Sequence, residues 1–186
     1  KLKLRHVLIG LLPAGILGLL FEDFIDENLF SIETVIIGLA VGALLMIAAD
    51  KLGPKEPKTT SLDQITYRQA ALVGLFQCIS LWPGFSRSGS TISGGVFLGM
   101  NHRTAADFTF IMAVPIMFGA SFLSLVKNWS DIQPNHFAFY AVGFVASFVF
   151  ALLSIRFFLK LINKIKLVPF AIYRLVLAAI LAVIVY

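Results

Sequence analysis

The chain has 186 residues, of which 59% are hydrophobic and only 13% charged; an average soluble domain carries about 25% charged residues. With 18 Phe and a mean hydropathy of +0.91, it reads as one polytopic membrane domain without a soluble lobe. The net charge of +5 is no nucleic-acid footprint, because the basic residues sit at the ends of apolar segments, and the single Cys78 excludes an internal disulfide or a cysteine-rich metal site.

The opening Lys1-Leu2-Lys3-Leu4-Arg5-His6 has neither Met nor a signal peptide and reads as an internal start. The first candidate span, His6 to Phe21, is broken by Pro13. An acid-rich loop (Glu22, Asp23, Asp26, Glu27) leads to the second span, Leu29 to Ala49, with Glu33 near its outer end. The polar stretch Asp50 to Arg68 reads as a loop. Next come two arms of 14 residues each, Gln69 to Trp82 and Ser88 to Asn101. As a helix rising about 1.5 Å per residue, either arm reaches only ~21 Å, short of a bilayer core roughly 30 Å thick. The spacing therefore predicts a segment that enters the membrane and returns. Phe108 to Val126 and Phe137 to Ile155 are uncharged runs of 19 residues suited to spanning. Thr104-Ala105-Ala106-Asp107 resembles a capping box opening the first of them, with Asp where Glu or Gln is usual. The last span, Leu167 to Tyr186, is interrupted only by Arg174, which is expected to snorkel to the inner surface. His6, His102 and His136 lie at segment ends without metal-ligand spacing.

The basic residues set a topology. Lys1, Lys3 and Arg5 precede span one, and Lys51, Lys55, Lys58 and Arg68 follow span two, so the chain starts inside, goes out and returns. If region 69–101 dips in and comes back, Arg103 and the cluster Arg156, Lys160, Lys164, Lys166 also fall inside, leaving Lys127 as the outer loop cation. The expected fold is an all-α polytopic membrane protein with five spanning helices plus one re-entrant helix-loop-helix. It forms a single domain, 1–186. Residues 6–49 hold two spans of a first repeat, and 69–186 form a second repeat with the re-entrant pair 69–101 and three spans. The similar layout of the first and last span pairs suggests an inverted repeat.

The turn between the arms, Pro83-Gly84-Phe85-Ser86-Arg87-Ser88-Gly89-Ser90-Thr91, reads as an anion cradle. Pro83 ends the first arm, and Gly84 and Gly89 allow close approach. Ser88, Ser90 and Thr91 stand where the second arm begins, placed to cap it and aim its N–H groups and dipole at a phosphate. Arg87 supplies a permanent charge and a planar fork for two phosphate oxygens. Its alternative role is to neutralise a carboxylate or carbonyls within the bundle. Gln77, two turns back, can reach the same cavity or form an interhelical hydrogen bond. Gly94-Gly95 and Gly99 read as a close-packing face, and the Trp82 and Trp129 rings as interface anchors.

The run from Gln77 to Thr91 resembles the bacterial undecaprenyl-diphosphate phosphatase family of the bacitracin-resistance type. Its P-G-x-S-R-S-x-x-T signature is matched by Pro83, Gly84, Ser86, Arg87, Ser88 and Thr91. The resemblance extends to Ala113-Val114-Pro115 and Pro169 to Arg174. It implies removal of the terminal phosphate from a C55 polyprenyl diphosphate in the bacterial inner membrane, with the site toward the periplasmic side. The product is the lipid carrier of cell-wall synthesis. It implies Arg87, Ser86, Ser88 and Thr91 as catalytic-site residues, Gly84, Gly89, Ser90 and Gln77 around the substrate, and a divalent cation, Mg or Ca. The family's second motif, E-x-x-x-E followed by P-x-S-S-x-G-H, has no match here. The expectation is thus a fragment carrying the arginine half of a site, with metal ligands outside these residues, that hydrolyses poorly unless another copy, as in a homodimer, supplies the acids. The alternative is a polyprenyl-phosphate carrier translocase using the same anion site.

Overall fold

Helix accounts for nearly all of the computed structural model, which describes residues 1–129 and 137–185; His136 and Tyr186, named above, lie outside that range. In chain order the α-helices are α1 (Leu4–Leu20), α2 (Glu22–Asn28), α3 (Ile32–Leu52), α4 (Tyr67–Ile79), α5 (Arg87–Phe97), α6 (His102–Lys127), α7 (Phe137–Ile165) and α8 (Val168–Val185), with a 3-10 turn at Leu62–Gln64. No strand occurs among the described residues beyond one isolated bridge, Thr59 to Met100. Four helices, α3, α6, α7 and α8, are long and apolar enough to cross a bilayer; α1, at 17 residues, is a shorter apolar helix. The protein is a multi-pass membrane protein.

Several boundaries differ from the sequence reading, each for a local reason. Pro13 does not break α1; a proline removes one hydrogen bond, and the helix on either side can still hold. The acid-rich loop holds the seven-residue α2. Helix α6 begins earlier than the expected span, because Asn101 is its cap, its side chain accepting from Thr104 N at 2.7 Å. Thr104 is therefore inside the helix, and Asp107 pairs with Arg103 one turn back at 3.0 Å instead of closing a capping box. Helix α7 runs 29 residues, carrying its frame past Ile155 through Arg156, Lys160 and Lys164.

The arms form a helical hairpin, α4 and α5, of 13 and 11 residues. Their open ends meet: Gln69 Nε2 donates to Leu98 O at 3.0 Å and to Thr59 Oγ1 at 2.9 Å. The same end of the bundle is pinned by Asp50, at the close of α3. Its carboxylate accepts from the backbone N–H groups of Leu167 and Val168 at 2.8 and 2.9 Å, and lies 2.6 Å from His102 Nε2. One buried side chain thus caps α8 and holds the start of α6.

Helix α5 is the centre of the fold. Every residue from Gly89 to Val96 is buried, with α3, α4 and α6 packed around it. Its Ser- and Gly-rich sequence is a poor helix former, so tertiary packing holds the helix. The small side chains are what allow that packing: Gly94 lies against the Phe76 ring and Gly95 against Ala105. Gly99 is not part of this face; it has φ +85° in the turn after α5, with no neighbour where a side chain would stand. The core continues through Ile92, Phe108, Met112, Ile162 and Leu167. Helix α7 contributes only Ile162 to the buried set, with Phe158 and Leu159 packed part-buried against the core, while its apolar stretch 137–154 faces outward.

Two substitutions test this arrangement. Replacing Asp50 by Ala leaves two helix-start N–H groups and His102 without their acceptor, and is expected to cost on the order of 3 kcal/mol, read as a lowered thermal midpoint in detergent. Gly94→Leu drives a side chain into the Phe76 ring and should prevent α4 and α5 from closing, read as lost yield of monodisperse protein.

Candidate functional site

The turn that joins α4 to α5 is built by backbone contacts with α3. Ser80 closes α4, its hydroxyl donating to Gln77 O at 2.6 Å. Trp82 is not a free interface anchor: its indole N–H donates to Thr34 O at 2.9 Å, tying the turn to the head of α3. Gly84 has φ +83°, and its Cα faces the Val35 carbonyl so closely that a Cβ would collide. On α3, Gly38 and Gly42 leave room for the carbonyls of Pro83 and Phe85. Phe85 is buried beneath the turn.

Ser86 then starts α5. Its backbone lies at φ 74°, ψ 110°, on the left-handed side that a serine rarely occupies; such a residue costs about 1–3 kcal/mol and persists only where its surroundings over-determine it. Its hydroxyl accepts from Gly89 N at 3.1 Å. The cap of α5 is therefore Ser86, ahead of Ser88, Ser90 and Thr91, the residues expected to serve. The first N–H groups of α5 face the turn, with the helix dipole behind them.

The expected site residues fall into four groups. Arg87, Gln77 and Ser80 line one cavity of about 290 Å³, walled by Leu11, Ala14 and Gly15 of α1 and Pro115 and Ile116 of α6. Arg87 is half-buried, and among the described residues its guanidinium has no hydrogen-bond or salt-bridge partner. Gln77 is 3% exposed and its Oε1 is also unpaired. Ser86, Ser88 and Gly89 border a second cavity of about 230 Å³ on the opposite side of the helix start. Ser90 and Thr91 are interior. The Ser90 hydroxyl donates to Phe76 O; Thr91 Oγ1 donates to Arg87 O at 2.9 Å and lies 2.9 Å from Thr109 Oγ1. These two hydroxyls join helices and do not line the cavities. Gly84 faces a third, outer groove shared with Ser80, Pro83 and Asp26.

Arg174 overturns its sequence reading. It does not snorkel: it is 8% exposed, and its guanidinium reaches back to the turn. Nη2 donates to Gly84 O at 2.6 Å and to Gly38 O at 3.3 Å, while Nη1 lies 3.4 Å from Met46 Sδ. The signal was present, since an arginine within an apolar span is a candidate functional residue by default. What concealed it was its place two turns from the helix start, within reach of the surface.

A divalent cation does not fit the donors gathered here. Guanidinium groups and serine hydroxyls are hydrogen-bond donors of the kind that suit an anion, and one amide oxygen is far short of the several carboxylate and carbonyl oxygens that Mg or Ca takes. Among the described residues no three His, Cys, Asp or Glu side chains gather as metal ligands.

Known proteins resemble the chain throughout. A protein known as undecaprenyl-diphosphatase from Exiguobacterium sibiricum is 90% identical over 186 residues, matching 100% of this chain and 67% of its own length. Proteins of the same name from Geobacillus kaustophilus and Bacillus subtilis are 68% and 63% identical, over 97% and 99% of the chain and 66% and 67% of their own lengths. The chain thus spans about two thirds of the length of these relatives. The sequence profile described as bacitracin resistance protein BacA matches residues 1–180, and the chain belongs to that family.

Proposed function

We propose that the chain forms the arginine-bearing part of a membrane enzyme that hydrolyses undecaprenyl diphosphate to undecaprenyl phosphate and inorganic phosphate. Its relatives carry the name of that hydrolase, which favours hydrolysis over carrier translocation. The observation that carries the reading is the Arg87 guanidinium, unpartnered among the described residues, beside the unpaired Gln77 Oε1 in a mostly apolar cavity. A charge drawn out of water without a counter-charge is costly, even when half-buried. A diphosphate entering the cavity supplies the missing partner.

In this reading the Arg87 fork holds two phosphate oxygens, and the first N–H groups of α5 stabilise charge that grows on them as the phosphorus–oxygen bond to the lipid side breaks. Gln77 accepts a hydrogen bond from water or from a protonated phosphate oxygen. Ser86 sets the helix start, and Ser88, beside it, offers a further hydroxyl. The attacking water's oxygen joins the terminal phosphorus, and the bridging oxygen leaves with the lipid monophosphate. No carboxylate or imidazole lines the Arg87 cavity, so proton transfer is not assigned to these residues, and no step is routed through the divalent cation that the family resemblance implies.

The membrane arrangement follows the charges. The joined open ends of α4 and α5, the Asp50 cluster and the Lys-rich end of α7 share one end of the bundle, which supports a re-entrant hairpin rising from the cytoplasmic face of the inner membrane. The turn then lies about 20 Å deep, toward the periplasmic half. Within this reading α1 serves as the fifth span, residues 6–49 and 69–186 belong to two inverted repeats, and a second copy is an admissible partner in a homodimer.

Phosphate release from a C55 diphosphate by the full-length gene product tests the activity. Arg87→Ala should lower turnover by on the order of 100- to 1000-fold; wild-type turnover in that variant rules out the assigned role. For the topology, single cysteines replacing Lys58 and Lys127 in a Cys78→Ala background should react with an impermeant maleimide only from inside and only from outside, respectively. Labelling of both from one face contradicts the re-entrant hairpin.

A further inference from the structure

We propose that Arg174 is a positioning residue of this site: it clamps the turn before α5 and thereby sets the direction of Arg87. The inference rests on the binding role given above to Arg87.

The clamp begins with a problem of backbone satisfaction. A turn between two short helices leaves carbonyls without intrahelical partners, and inside an apolar bundle each must find a donor. Gly84 O finds Arg174 Nη2 at 2.6 Å. The same nitrogen reaches Gly38 O at 3.3 Å, so one guanidinium from α8 ties the turn to α3. Its place is tight. A Cβ added to Gly42 would stand 2.6 Å from Nη2, and one added to Gly89 would stand 3.2 Å from both Nη1 and the Ser86 hydroxyl. Arg174 therefore lies directly beside the first turn of α5.

Two residues after the clamped carbonyl, Ser86 holds its uncommon backbone angles, and the next residue is Arg87. A strained serine relaxes when the contacts around it loosen. Relaxation there rotates the start of α5 and, with it, the side chain of Arg87. Arg174 itself lines the cavity opposite the one that Arg87 enters. It thus acts on Arg87 through the backbone and not by sharing its cavity. No acid pairs with Arg174 among the described residues, so the charge serves the carbonyls. A guanidinium Nη carries two N–H bonds, which lets this one nitrogen serve two carbonyls on different elements.

The test is a double-variant cycle on phosphate release by the full-length gene product. Arg174→Met keeps the chain's volume but removes every donor. It should lower turnover by on the order of 10- to 100-fold, with an unchanged helical spectrum. Added to Arg87→Ala, it should cost little more than Arg87→Ala alone, because a misaimed group that is already absent cannot be lost twice. Arg174→Lys, which keeps the charge and its N–H donors on a single, shorter-reaching nitrogen, should fall between Arg174→Met and the wild type, and it is the variant measured if Arg174→Met does not fold. Wild-type turnover in whichever Arg174 variant is measured, while Arg87→Ala is impaired, overturns the clamp and leaves the Arg87 reading standing. Losses that multiply in the double variant also overturn it, since they show Arg174 acting independently of Arg87. Wild-type turnover in Arg87→Ala removes the reading on which the inference rests.

Discussion

A short helix sealed inside an apolar bundle has a beginning that must be satisfied, and that requirement organises this protein. Helix α5 is buried from Gly89 to Val96. Within a bilayer, the backbone around its first turn cannot rely on bulk water for partners as it would on a soluble protein's surface. The fold supplies partners instead: the Ser86 hydroxyl for Gly89 N, Arg174 for Gly84 O, and Trp82 and the α3 glycines to hold the turn in register. Among the described residues, Arg87 and Gln77 Oε1 remain unpaired at the cavity, and Ser93 Oγ is unpaired further along α5. The packing that solves the backbone problem thus leaves a small cavity beside an uncommitted guanidinium, the feature on which the proposed function rests.

Charge is distributed by the same logic. Two guanidinium groups flank the head of α5, one committed to carbonyls and one uncommitted. The helix start between them already favours negative charge. Such a concentration of positive potential in a poorly polarisable setting would be unfavourable with no anion nearby. It becomes an asset when a phosphate group arrives, because the groups are held in place beforehand and need little rearrangement. The stiffness of the turn and the strength of the site have one source.

Much of this was legible in the chain itself. Arms too short to cross, separated by Pro83 and Gly84, foretold the α4–α5 hairpin, and the Pro-Gly-x-Ser-Arg-Ser run singled out Arg87. The uncharged runs located α6 and α7, although their ends moved when Asn101 proved to be the cap and the basic tail of α7 stayed helical. The less legible features were those that join distant residues. Asp50 caps a helix 117 positions later. Arg174 grips a carbonyl 90 positions earlier. Serine and threonine hydroxyls near a helix start look alike in sequence, yet Ser86 caps while Ser90 and Thr91 join neighbouring helices.

Local composition by itself determined the membrane class, the helical character and the position of the turn between α4 and α5. Those follow from hydropathy, from rise per residue and from residues with restricted backbone angles, all properties of short stretches. The tertiary structure alone decided which cavity each polar side chain enters, which hydroxyls are consumed in packing, and that Arg174 faces inward. Those outcomes depend on how closely α3, α5 and α8 approach, which is fixed by glycines and carbonyls far apart in the chain that meet only in the folded bundle.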